Sequence, residues 1–161
     1  MNLNYSFLIF VLFFFVSCGN DDQQNGNSGT NSYHVHVAPH GGQLVEIGEH
    51  GSGFNLELVL HSDGFLQIYV LDAHAEEFVR ITSDSIDFEI PFENNESKSF
   101  VCEAISDPTT GETVGNTSLF TSTERVTDYL PFKAIIPKLN IYEFTYENVA
   151  FEMVSNAETS N

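Results

Sequence analysis

Hydrophobic and polar residues alternate with a period of two along much of the chain. Residues 54–60 (FNLELVL) carry Phe or Leu at every second position, and residues 65–72 (FLQIYVLD) resume a strand pattern after the turn sequence HSDG. Successive side chains of a β-strand point to opposite faces of the sheet, so this alternation is typical of strands with one buried face. Because Gly64 in the turn can adopt a positive φ, the segment 54–72 is predicted to form a β-hairpin.

Further short strands are predicted downstream, separated by polar turns. Residues 85–92 (SIDFEIPF) and 99–105 (SFVCEAI) alternate in the same way, and Pro91, which lacks an amide donor, indicates that the first is an edge strand. Helical periodicity is confined to one or two turns within residues 123–130 (TERVTDYL). Short strands with turns at intervals of about 8–12 residues predict an all-β fold, an antiparallel, immunoglobulin-like β-sandwich of one domain.

The N-terminal residues follow a different pattern. Residues 7–16 (FLIFVLFFFV) are an uninterrupted apolar run, too short for a membrane-spanning helix of about 20 residues but typical of a signal-peptide core. The sequence FVSC, which ends at Cys18, resembles a bacterial lipobox, in which the cysteine is acylated and becomes the new N-terminus, although no Lys or Arg precedes the apolar run. The alternative is an ordinary secretory signal in which Cys18 has no role.

These features predict the domain organisation. We expect a lipoprotein signal peptide over residues 1–17, a lipidated Cys18 and a flexible polar tether over 18–32, the β-sandwich over 33–154 and a disordered tail over 155–161. The acidic residues directly after Cys18 resemble the export signal of surface lipoproteins in Bacteroidota-type bacteria. The predicted location is the bacterial outer membrane, at the cell surface or, alternatively, facing the periplasm.

Cysteine usage fits the same organisation. If Cys18 carries lipid, Cys102 has no partner for an intramolecular disulfide, because the chain contains only two cysteines. Cys102 lies among apolar residues of a predicted strand, so we expect it to be a small buried side chain.

Composition excludes several functions. The formal net charge of −18 repels a phosphate backbone, which argues against nucleic acid as a partner, and it also repels an anionic membrane surface, which favours attachment by acyl chains. The sequence contains no Gly-x-Ser-x-Gly elbow and no phosphate-binding loop, and its carboxylates are dispersed. We therefore predict a protein that is not an enzyme.

Candidate chemistry is concentrated in the histidines. Residues 33–42 (YHVHVAPHGG) contain three of the six histidines. An i, i+2 spacing on an extended chain places two imidazoles on one face with Cα atoms roughly 6.5–7 Å apart, which suits two ligands of one divalent ion. The predicted metal ligands are His34, His36, His40, His74 and Asp72. Nitrogen and oxygen donors of this kind suit zinc or copper, whereas His50 and His61 have no spaced companion and are not included.

Several segments resemble a family of small exported bacterial domains. The segments are 39–50 (PHGGQLVEIGEH), 56–81, 116–130 and 146–153. The family includes stand-alone lipoproteins, and similar His-Gly-Gly segments precede the membrane-fusion part of heavy-metal efflux adaptors. The resemblance implies a β-sandwich and a metal-handling role in which His40 is the best-matched residue. Nothing after residue 154 corresponds to the remaining adaptor portions, so a pump adaptor is not expected.

Two functional hypotheses follow. The first is a lipid-anchored, non-enzymatic envelope protein that binds a divalent transition metal, zinc or copper, through clustered histidines. The alternative is a structural or interaction β-sandwich that binds a protein or a glycan, with histidines that have no role. Metal binding is expected to weaken below about pH 6.5, because imidazole must be neutral to coordinate an ion.

Overall fold

The computed structural model describes residues 36–154, which form an all-β domain. The eight strands are β1 (Gln43–Ile47), β2 (Phe54–Leu60), β3 (Leu66–Leu71), β4 (Ser85–Pro91), β5 (Ser97–Ala104), β6 (Leu119–Ser122), β7 (Phe132–Ile141) and β8 (Phe144–Met153). Helical structure in these residues is limited to a single 3-10 turn, Thr127–Tyr129, within the segment predicted to make one or two helical turns. The predicted single-domain antiparallel β-sandwich is confirmed.

All eight strands belong to one antiparallel sheet. Their order is β1-β2-β3-β6-β5-β4-β7-β8. The first and last strands of this order, β1 and β8, lie close together. Gly48, directly after β1, is so near β8 that a Cβ atom added to it would lie 3.2 Å from the ring of Tyr146. The sheet therefore curls around a common core, and only a short gap separates its first and last strands.

The predicted hairpin is confirmed in detail. β2 and β3 are antiparallel, with Leu58 opposite Ile68, and Gly64 in the connecting turn has a φ of 95°. Leu56 and Leu58 are buried, as the alternation predicts, but so is Glu57 on the opposite face. This carboxylate is fully buried because the chain before β1 covers it.

Aromatic rings fill the core between the two halves of the sheet. Phe88 in β4 stacks on Phe100 in β5, with ring centroids 5.0 Å apart, and meets Phe151 of β8 edge to face. Cys102 is a free, fully buried thiol beside these strands, as predicted. Burial, with a contribution from the charge of Asp87, raises the pKa of Cys102 to about 12, so the thiolate is scarcely populated at neutral pH.

The prediction that residues 85–92 form an edge strand is wrong. β4 lies between β5 and β7. Its pairing with β7 is limited to Glu89 opposite Ile135, and Pro91, the last residue of β4, lies beyond that pair. The amide that Pro91 lacks is therefore not needed for the contact with β7, and proline is tolerated at the end of an interior strand.

Predictions for the chain ends fall outside the part that the structure describes. These are the signal peptide, the lipidation of Cys18, the tether, the metal ligand His34 and the tail after residue 154. Across residues 36–154, no helix is long and apolar enough to cross a membrane.

Candidate functional site

The chain before β1 runs back over the polar face of β2 and β3. His40 reaches Glu57 and Tyr69, which are opposite one another in these strands, and His36 lies further along, at the edge where β1 ends and β2 begins. Gly41 makes the reversal with a φ of 70°, and its amide donates to the carbonyl of Ala38 at 3.1 Å. The segment therefore brings two histidines to two different places on one surface.

Three imidazoles meet at the end of the sheet where β1 ends and β2 begins. We call these residues, His36, His50 and His74, the edge cluster. The ring of His36 lies parallel to that of His50, with centroids 5.5 Å apart, and nearly perpendicular to that of His74, at 5.9 Å. His50 lies in the β1–β2 turn and His74 follows β3. Since β1, β2 and β3 are consecutive antiparallel neighbours, these two loops emerge at the same end of the strands.

Two ring nitrogens of the edge cluster are notable. Nε2 of His36 is buried and has no hydrogen-bond partner, an arrangement that costs free energy unless a ligand satisfies it. Nδ1 of His50 is bonded to the carboxylate of Glu46 four residues earlier. With its proton on Nδ1, His50 keeps the lone pair of Nε2 free to coordinate an ion.

Asp72 supports the loop that carries His74. Its Oδ1 accepts hydrogen bonds from the amides of Glu76, at 2.8 Å, and Glu77, at 3.2 Å. Burial by itself raises the pKa of Asp72, but the hydrogen bonds from the amides of this loop outweigh it and the net effect is a lowered pKa. The carboxylate is thus engaged in fixing the position of the loop.

The side chains of the edge cluster do not converge on one point as they stand. Within residues 36–154, no three or more His, Cys, Asp or Glu side chains are arranged so that they could hold a metal ion. The structure brings His36 and His74, two of the predicted ligands, to one place and adds His50, which the sequence interpretation left out. His40 takes part in a different set of contacts.

His40 is held by a buried carboxylate. Glu57 accepts three hydrogen bonds, from the amide of His40 at 2.7 Å, from the amide of Gly42 at 3.0 Å, and on its second oxygen from Nδ1 of His40 at 2.9 Å. The imidazole stacks on Tyr69, with centroids 4.0 Å apart, and lies 5.6 Å from the ring of Phe78. These contacts fix the orientation of His40 and leave its Nε2 facing outward from Glu57.

A second buried carboxylate, Glu112, organises the neighbouring loop. It accepts hydrogen bonds from the amide of Ser118 at 2.8 Å, from the Ser118 hydroxyl at 2.6 Å and from the Thr110 hydroxyl at 2.9 Å. Burial alone raises the pKa of Glu112, but these bonds and the charge of Arg80 reverse the effect and lower it. Arg80 itself donates to the carbonyl of Thr110 at 2.6 Å.

A cavity of about 420 Å³ lies between these two networks. It is lined by the rings of His40, Tyr69 and Phe78, by Leu119 and by several polar side chains. The polar lining consists of Glu77, Arg80, Asp107, Thr110, Glu112 and Ser118. Burial, together with the charges of Glu57 and Glu112, raises the pKa of Tyr69, so its phenol remains protonated and donates to Gln67 at 2.9 Å.

Sequence interpretation missed the residues that build both places. Glu57 has the spacing of a solvent-facing strand residue, and only the covering segment makes it buried. His50 could have been found from the predicted hairpin 54–72, because the residues just before position 54 and the loop after residue 72 must lie at the same end of that hairpin.

Comparisons with family models, with curated proteins and with solved structures find no match for this chain. Function is therefore argued from the geometry of these side chains.

Proposed function

We propose that the protein is a lipid-anchored, non-enzymatic envelope protein that binds one divalent transition metal, zinc or copper, at the edge cluster. The observation that carries the proposal is the buried, unpaired Nε2 of His36, whose ring lies beside two other imidazoles. A metal ion supplies the missing partner for this nitrogen. Bound metal would be buffered or presented to other components of the envelope.

The ring spacings of the edge cluster favour a shared ion. Two imidazoles on one tetrahedral zinc, with Zn–N bonds of about 2.0–2.1 Å, have ring centroids roughly 5 Å apart. The spacings of 5.5 and 5.9 Å are close to this value. His50 and His74 are exposed, so their rings can turn toward His36 without displacing packed neighbours, and a turn of about 30° costs roughly 0.5–1.5 kcal/mol. Coordination releases far more free energy than that.

Supporting contacts and charge point the same way. Glu46 behind His50 is the carboxylate–histidine arrangement that orients ligands in metal sites, and Asp72 fixes the loop of His74. His34, two residues before His36 in the sequence, stays a predicted ligand outside the described residues. The net charge of −18 attracts cations to the surface. In this proposal His40 is not a ligand, because its ring packs with Tyr69 and Phe78, apart from the edge cluster.

Zinc titration tests the proposal. Isothermal titration of a Cys18→Ser chain with zinc at pH 7.5 should give one site, and a His36→Ala variant should bind about 100-fold more weakly or worse, since losing a supporting contact alone costs 10–100-fold. Affinity should fall strongly at pH 5.5, because histidines in general take up protons near pH 6.5 and protonated imidazole cannot coordinate.

His61 supplies the matched control. It is an exposed histidine bonded to Gln67, away from the edge cluster, so His61→Ala should leave zinc affinity unchanged. Absence of heat with both zinc and copper would rule out the proposed function. Equal affinities for the wild-type and His36→Ala chains would remove the edge cluster as the site.

A further inference from the structure

The cavity beside His40 is a built site, separate from the edge cluster. Two carboxylates, Glu57 and Glu112, are almost completely buried next to it, and each is satisfied by several donors. Burying a carboxylate is unfavourable unless its partners compensate for the lost hydration, and neither residue packs in the apolar core. Their common effect is to fix the walls of one cavity: Glu57 orients His40, and Glu112 orients the loop that holds Arg80.

Part of the cavity lining is aromatic. Phe78 is 47% exposed, and its ring lies 5.6 Å from that of His40 and 6.0 Å from that of Tyr69. An exposed aromatic ring that is held by two others gives a rigid apolar surface at low entropic cost. The cavity volume of about 420 Å³ falls in the usual range for small-molecule sites, about 300–1,000 Å³.

The polar part of the lining mixes acceptors and donors. Glu77 and Asp107 contribute carboxylates, and Arg80 contributes a guanidinium, which has N–H groups beyond those directed at Thr110 and Glu112. His40 contributes Nε2. A ligand therefore needs groups that both donate and accept hydrogen bonds, together with an apolar face for Phe78.

These features select one chemical class, and we propose that the cavity binds a neutral sugar, a monosaccharide or a short oligosaccharide end. Each sugar hydroxyl both donates and accepts, and the C–H face of the ring packs on an aromatic surface. An anion would meet the carboxylates of Glu77, Asp107 and Glu112. An organic cation would have to lie beside Arg80. A neutral sugar also experiences no repulsion from the net charge of −18.

Saturation-transfer NMR with named sugars tests this inference. The Cys18→Ser chain is mixed with glucose, galactose, mannose, N-acetylglucosamine, maltose and cellobiose, with choline and glucuronate as charged probes. At least one neutral sugar should receive saturation, and titration should place its affinity in the millimolar range or tighter. Phe78→Ala should weaken that sugar about tenfold or more.

Phe144 provides the control for this variant. It is 50% exposed in β8 and outside the cavity, so Phe144→Ala should leave sugar affinity unchanged. Binding of choline or glucuronate with no response from any neutral sugar would overturn the assignment. The absence of saturation transfer to every probe would also overturn it. Equal losses of sugar affinity in the Phe78→Ala and Phe144→Ala chains would do the same. The outcome of the zinc titration is independent of these results, because no residue of the edge cluster lines the cavity.

Discussion

Replacement of Glu57 by alanine is expected to reduce the free energy of unfolding by roughly 2–5 kcal/mol. The side chain is fully buried and accepts hydrogen bonds from the amides of His40 and Gly42 and from the His40 ring. Each buried amide left without an acceptor costs about 1–3 kcal/mol. Because a domain of ordinary size has only about 5–15 kcal/mol of stability in total, the loss should be plain in urea unfolding followed by far-UV circular dichroism.

Glu57→Gln is the matched control for this change. Its amide oxygen can still accept from both backbone amides, and its NH₂ group can face Nδ1 of His40, so we expect a loss of only about 1 kcal/mol. If Glu57→Ala and Glu57→Gln unfolded at the same urea concentration as the wild type, the carboxylate would not be holding the segment before β1.

Replacement of Gly42 by alanine is expected to cost about 3 kcal/mol. A Cβ atom at this position would lie 2.5 Å from the carbonyl oxygen of Leu58 and 2.8 Å from Cγ2 of Val59. Neither neighbour can yield easily, since both belong to β2, so the segment must lift from the sheet and its bond to Glu57 must break. Urea unfolding measures the loss, and faster amide exchange at His40 should accompany it.

A substitution at Gly41 is the control for Gly42→Ala, because it tests backbone conformation without steric crowding. It has a φ of 70° and open space around it, and asparagine tolerates the left-handed region. Gly41→Asn should therefore cost less than about 1 kcal/mol. A larger loss at Gly41 than at Gly42 would contradict the packing of the His-Gly-Gly segment against β2.

The fold was largely accessible from the sequence because its signals are local. The alternation of residues 54–60, the turn glycine Gly64 and the return strand specify a hairpin with buried Leu56 and Leu58, and the structure has this hairpin. The edge-strand prediction from Pro91 was wrong because a proline excludes only the hydrogen bond that its own amide would donate. That bond would lie beyond Glu89 and Ile135, the pair that joins β4 to β7.

The candidate sites were accessible only in part, because they depend on chain segments that meet over long separations. His36 and His74 were predicted ligands and do meet at one edge, but His50 joins them through the sheet order rather than through any short spacing. Glu57 alternates as a solvent-facing residue would, and its burial depends on where the segment before β1 crosses the sheet. The period-two pattern records which face a residue occupies and not what covers that face.

The most direct test of metal binding at the edge cluster is anomalous diffraction at the zinc absorption edge, from crystals of the Cys18→Ser chain grown with zinc. A single strong peak is expected between His36, His50 and His74, about 2.0–2.1 Å from a nitrogen of each ring. Crystals without a zinc peak at these three imidazoles, or with the ion bound at His40 instead, would contradict it.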